Sequence, residues 1–313
     1  MRAVNERIIS KISIYDLFNA SSTPTSDVTN NYDYYLSRQF KSLENQEVKT
    51  VIIGNSYGLY GFPNAQLEHS VNISMHSLSI KQIQQLTEHI LTHYPHIDNF
   101  VFCLGFFDLY FDLFASNDSF NRNIINAISQ LTCHHDIKYV SDSETDGPLV
   151  FSRLAMQVAP LCEIAGMNDQ DSLNTIYDST QRLLNSTDSI DVRQQNIIAK
   201  QRAVLHSNSV KHQRTFDENQ LRIGKITLAL DLSGKKHFWL TPPFPAAYVN
   251  NLDTKMVLSH RQFFAKYNTE NSIFIDLSEA DDYQQQDFRD GDHLNLIGAS
   301  KLVARLRKLN IPL

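Results

Sequence analysis

Five short strand-like runs constrain what this chain can fold into: VKTVIIG (48–54), HSVNIS (69–74), IDNFVFCLG (97–105), KHFWLTPP (236–243) and SIFIDLS (272–278). VKTVIIG is apolar without alternation, as expected of a strand covered on both faces, which is the usual condition in a parallel sheet. Helical patterns fall between the runs. Ser79 is placed to N-cap a helix, with Gln82 as its capping-box partner and Leu78 and Ile83 at staple positions. Ile80, Ile83, Leu86, Ile90 and Leu91 then share one helical face. Further helices are expected near 217–232, near 253–267 and after Asn295, where Leu296, Ala299, Leu302, Val303, Leu306 and Leu309 form an apolar stripe. Lys301, Arg305, Arg307 and Lys308 lie toward the C-terminal end of that last helix, where its dipole favours cations. Pro242 and Pro243 offer no ladder N–H and stop the fourth strand. Strands alternating with helices predict an α/β fold of three layers around a central parallel sheet.

The stretch from about 110 to 225 breaks this rhythm. SRLAMQVAPLCEIAG, SLNTIYDSTQRLLN and VRQQNIIAKQRAVL read as helices joined by polar connections, so a helical insertion or cap is expected within a single domain spanning 1–313. A net charge of −6 and the lack of any basic stretch interleaved with aromatics argue against nucleic acid or an anionic membrane as the main partner. Net charge does not exclude a local basic pocket. Three cysteines without paired spacing indicate no disulfide framework and no thiolate metal site. His134-His135 beside Asp136 reads as surface, because adjacent histidines chelate one ion poorly. No run approaches the roughly 18 apolar residues of a membrane span, and the expected location is the cytoplasm. Cys103 reads as a buried small hydrophobe. The aromatics Phe106, Phe107, Tyr110, Phe111 and Phe114 read first as core packing and second as a pocket lining.

Two places carry chemistry. The first apolar run ends at Gly54-Asn55-Ser56, which leaves a serine at the carboxyl end of a strand, where open α/β sheets place their sites. Near the other end of the chain, DFRDGDHLNLIGASKLV puts Asp290 three residues before His293. A carboxylate that accepts the imidazole Nδ1–H fixes the tautomer and leaves Nε2 to take a proton from a hydroxyl nucleophile. Asp292, adjacent to His293, is expected to point away. The serine turn lacks the GxSxG pattern of the α/β-hydrolase elbow.

Taken in order, these blocks resemble the SGNH (GDSL-like) hydrolase family. Gly54-Asn55-Ser56 stands where that family has Gly-Asp-Ser, which makes Ser56 the implied nucleophile; Asp290 and His293 stand for its acid and base. VNISMHS resembles the second block, with Ser77 in place of an oxyanion-hole glycine. LGFFD resembles the third, with Phe107 in place of its asparagine. The resemblance covers about 48–108 and 225–310 and implies backbone N–H donors at Ser56 and Ser77. Phe107 has no donor to give, and Asn55 or His76 are candidates to replace it. Divergent relatives of this pattern act in bacterial surface-polysaccharide modification. The implied function is therefore a serine-dependent esterase or O-acyltransferase acting on a carbohydrate ester such as an O-acetylated glycan. No cofactor or metal is implied, apart from acetyl-CoA as the acyl donor of a transferase. The alternative is a catalytically inactive glycan-binding or assembly protein of the same fold.

Overall fold

The computed structural model describes residues 38–115, 128 and 181–313. The chain divides into two compact units, Met1–Arg38 with Asn117–Leu183 and Gln39–Ser116 with Leu184–Leu313. The second unit contains the sheet. The expected helices in SRLAMQVAPLCEIAG and the first part of SLNTIYDSTQRLLN, and the pair His134-His135, lie outside the described residues.

Five parallel strands form one sheet: β1 (Thr50–Gly54), β2 (Ser70–Asn72), β3 (Asn99–Cys103), β4 (Lys236–Thr241) and β5 (Ser272–Asp276), in the order β2-β1-β3-β4-β5. Each falls inside one of the five strand-like runs. Val51, Ile52 and Ile53 are fully buried, as are Phe100 and Phe102, so the central strands are covered on both faces. Trp239 of β4 stacks on Phe102 of β3 with ring centroids 4.3 Å apart. The fourth strand ends at Thr241, immediately before the two prolines.

The helices are α1 (Ser56–Gly61), α2 (Ile80–His93), α3 (Val192–Ser207), α4 (Gln213–Leu232), α5 (Ala246–Val249), α6 (Thr254–Phe264) and α7 (Leu296–Lys308). They flank the sheet to give a three-layer α/β architecture. The capping box on α2 is present, with Gln82 accepting from Ser79 N–H. Asn295 caps α7 by accepting the N–H groups of Ile297 and Gly298. Leu309 departs from expectation: it follows the last turn of α7 and is exposed, while Leu302, Val303 and Leu306 carry the packing. Helix α4 starts at Gln213, four residues earlier than expected. Helix α3 lies in the same unit as the sheet, and its Ala199 backbone abuts Gly291 so closely that a Cβ at 291 would collide with it.

The strand order places the chain reversal between β1 and β3. From β1 the chain steps to β2 on one side, then returns past β1 to β3 on the other. The carboxyl ends of β1 and β3 therefore open a crevice at a topological switch point, the usual ligand position in open α/β sheets.

Candidate active site

The last residue of β1 has no room for a side chain. A Cβ on Gly54 would run into the carbonyl of Cys103 on the neighbouring strand, so only glycine lets β1 and β3 approach this closely here. Asn55 follows, buried, with its side-chain oxygen Oδ1 accepting Tyr57 N–H at 2.9 Å and so capping α1. Its amide nitrogen lies 2.8 Å from both carboxylate oxygens of Asp108, across the crevice. Asn55 is thus held within the turn and does not present a donor to substrate, contrary to the role suggested for it from sequence. Ser56 comes next, at the first position of α1, partly exposed.

Asp108, the last residue of LGFFD, also accepts Gly105 N–H at 2.6 Å. Burial raises its carboxyl to about 7, against the lowering effect of the Gly105 and Asn55 hydrogen bonds. The Asn219 carboxamide on α4 braces the same loop, donating to the carbonyls of Asp108, Leu109 and Phe111 at 3.1–3.3 Å.

The second half of the site is a local turn. Asp290 Oδ1 accepts the backbone N–H of Asp292 at 3.0 Å and of His293 at 2.9 Å, an Asx-type fold that brings the carboxylate under the imidazole. His293 Nδ1 then lies 3.1 and 3.0 Å from the two Asp290 oxygens. Burial alone would raise the Asp290 carboxyl; the His293 ring and its hydrogen bond, the Asp292 N–H and Arg202 outweigh it and hold the group below the usual carboxylate range. The chain closes the bridge at His293 Nε2, 2.9 Å from Ser56 Oγ across 237 residues. With Nδ1–H donating to Asp290, Nε2 carries a lone pair that can accept the Ser56 O–H. The structure brings Ser56, His293 and Asp290 together, hydroxyl on imidazole and imidazole on carboxylate.

Ser77 has φ of 58°, a left-handed conformation that favours glycine. That is the residue type the family pattern has at this position. Met75 N–H donates to Gly54 O at 3.1 Å, so Ser56 and Ser77 each stand two residues beyond the same inter-strand bond. Among the described residues no protein acceptor takes either backbone N–H. His76 is buried edge-on against Tyr60, whose ring centroid is 5.2 Å from that of His293. Burial first, and then His293 and two arginines, push the His76 imidazole well below its usual value, so it is neutral.

Asp292 does not point away. It is 1% exposed, accepts Tyr57 O–H at 3.1 Å, and places its other oxygen 3.3 Å from His293 Nδ1 and 3.6 Å from Arg202 Nε. The backbone bonds of Asp292 and His293 to Asp290 turn the loop so that both side chains face inward. From Tyr57 a polar chain runs on to Tyr248 O–H at 3.4 Å and then to His206 Nδ1 at 2.6 Å. Burial lowers His206 to about 4, so its ring is neutral. Phe107 stacks on His206, with centroids 4.1 Å apart. The position that carries asparagine in the family pattern therefore packs on α3. Phe106 and Tyr110 are buried core residues, and Cys103 is buried with its thiol raised by desolvation.

Tyr57, Asp108, Arg202, His206, Tyr248 and the inward role of Asp292 were missed from sequence. Asp108 lay within a quoted block. Arg202 and His206 stand four apart on one helix, a spacing that shows a shared face but not what it meets. Asp290, Asp292 and His293 are also close enough to share a cation, but the first and last are engaged with each other and with Ser56. No protein-family model matches the chain, and no curated protein matches it. Among the described residues, no helix is long and apolar enough to cross a membrane.

Proposed function

We propose that this chain is a serine-dependent acyl-ester enzyme of the SGNH type, an esterase or O-acyltransferase whose substrate is a carbohydrate ester. The observation that carries the reading is the 2.9 Å contact between His293 Nε2 and Ser56 Oγ, with Asp290 seated on Nδ1. Ser56 Oγ attacks the ester carbonyl as its proton passes to His293 Nε2. The imidazolium so formed is stabilised by Asp290, which stays ionised. Negative charge develops on the former carbonyl oxygen, where the Ser56 and Ser77 N–H groups receive it; a single such donor is worth about 10²–10³ in rate. Collapse expels the alcohol, which takes the proton from His293, and leaves an acyl-Ser56. Water yields hydrolysis, and a sugar hydroxyl yields transfer, each deprotonated by the same nitrogen. With acetyl-CoA as donor, the leaving group is the CoA thiol.

Phe107 favours the second reading, a glycan-binding protein without turnover, since it removes a side-chain donor from the third block. The two separate on labelling by a serine-reactive phosphonate and on turnover of p-nitrophenyl acetate. The enzyme reading expects both in the wild type and loss of both in Ser56→Ala and His293→Ala. Activity that persists in both variants, or no labelling of the wild type, overturns it.

A further inference from the structure

The Tyr60 ring, which packs against both His76 and His293, also carries a cation. Arg289 Cζ sits 4.3 Å from the Tyr60 ring centroid, at a residue adjoining Asp290, and its backbone N–H donates to His293 O at 3.0 Å. The residue is half-buried. Among the described residues no carboxylate pairs with it, whereas Arg202, Arg261 and Arg305 each face one. Taking a guanidinium partly out of water without a counter-charge is unfavourable, and the Tyr60 quadrupole offsets only a part of that cost. A guanidinium keeps its five N–H donors in its own plane, so the edge of Arg289 is open for a planar, bidentate acceptor.

A second guanidinium flanks the same region. Arg202, from α3, is 40% exposed and pairs with Asp292 at 3.6 Å. Both arginines act on His76, which packs against Tyr60. Arg202 is thus spent on Asp292, which leaves Arg289 as the guanidinium beside this serine-histidine pair that faces no carboxylate among the described residues.

We propose that Arg289, held over Tyr60, anchors an oxyanion subsite beside Ser56, so that the ester-bearing substrate also carries a carboxylate or phosphate. The subsite rests on the acyl-ester reading for its placement relative to the scissile bond. An acidic sugar meets the requirement through its ring carboxylate, and a phosphorylated sugar through its phosphate. Neutral acetylated glycans meet only the ester half.

Two measurements test this, and the second fails independently of the enzyme reading. The first compares kcat/KM on O-acetylated methyl galacturonoside and O-acetylated methyl galactoside. A charge-assisted bidentate contact predicts a preference of about 10–100-fold for the acidic ester, weakened by salt. Arg289→Gln brings the ratio close to one, and Arg289→Lys keeps part of it, because a point charge remains without the fork. The second measures binding of galacturonate, galactose 6-phosphate and galactose to Ser56→Ala by calorimetry. Binding of either anion but not galactose, lost in Ser56→Ala/Arg289→Gln with unchanged circular dichroism, supports the subsite even where no ester is turned over, and the two anions distinguish carboxylate from phosphate. No binding of either anion, or a kinetic ratio that Arg289→Gln leaves unaltered, overturns it, while phosphonate labelling of Ser56 still stands for the enzyme.

Discussion

Replacing Asp108 by Asn probes the floor of the crevice, because this one carboxylate pins the nucleophile turn to the β3 loop. Its two oxygens receive three contacts, two from Asn55 Nδ2 at 2.8 Å and one from Gly105 N–H at 2.6 Å. Asparagine is isosteric, but its amide nitrogen must face one of those donors, a clash of polarity worth about 1–3 kcal/mol in a buried site. A second, pH-dependent effect has the opposite trend. The folded carboxyl titrates at about 7 because burial raises it from 3.8. Between these values the native state holds a proton that the unfolded chain has lost. Its contribution to stability is therefore full below the unfolded value and is lost as pH rises through about 7. From pH 5 to pH 8 the loss amounts to about 2–3 kcal/mol, because each pH unit between the two titration points is worth about 1.4 kcal/mol. The carboxamide of Asp108→Asn has no such titration. Urea unfolding of wild type and Asp108→Asn at both pH values is expected to show the mutant clearly less stable at pH 5 and the gap narrowed by about 2–3 kcal/mol at pH 8. A gap that widens with pH refutes the burial argument and makes Asp108 an ordinary ionised hydrogen-bond acceptor.

Two further perturbations report on the same site. Ser77→Gly is expected to raise stability by about 1 kcal/mol in thermal or urea unfolding, because φ of 58° strains any residue with a Cβ; a loss of stability refutes the strain. Tyr57→Phe removes the donor to Asp292 and leaves a 1%-exposed carboxylate with Arg202 and His293 alone, so a loss of about 1–3 kcal/mol is expected, with the pH profile of ester turnover displaced relative to wild type. An unchanged stability and profile would detach Asp292 from the function of His293.

What the sequence made legible was whatever depends on neighbours along the chain. The continuous apolar run VKTVIIG marked β1 as a strand covered on both faces, and strand-like stretches marked the other four, among them HSVNIS, which alternates, and SIFIDLS, whose Ile273 is exposed. Local side-chain bonds were equally readable: Ser79 with Gln82, and Asp290 three residues before His293. Where local spacing was read without the backbone turn, it failed: Asp292 beside His293 points inward because both N–H groups are folded onto Asp290. Asn55 looked like a spare donor because nothing in its neighbourhood along the chain showed Asp108, fifty-three residues on, waiting beyond β3.

The chain by itself thus determined the layers, the strands and the identity of the serine, histidine and aspartate worth bringing together. Only the tertiary structure decided that they meet, and what surrounds them. The strand order β2-β1-β3-β4-β5 is not the order of the chain, so the crevice between β1 and β3 exists only once the sheet is assembled. Helix α3 reaches that crevice from an entirely different stretch, bringing Arg202 to Asp292 and His206 to Tyr248 and Phe107. Contacts of this kind join residues that share no spacing, propensity or cap. They follow from close packing and from the need of each buried charge for a partner, and both are satisfied in space and not along the sequence.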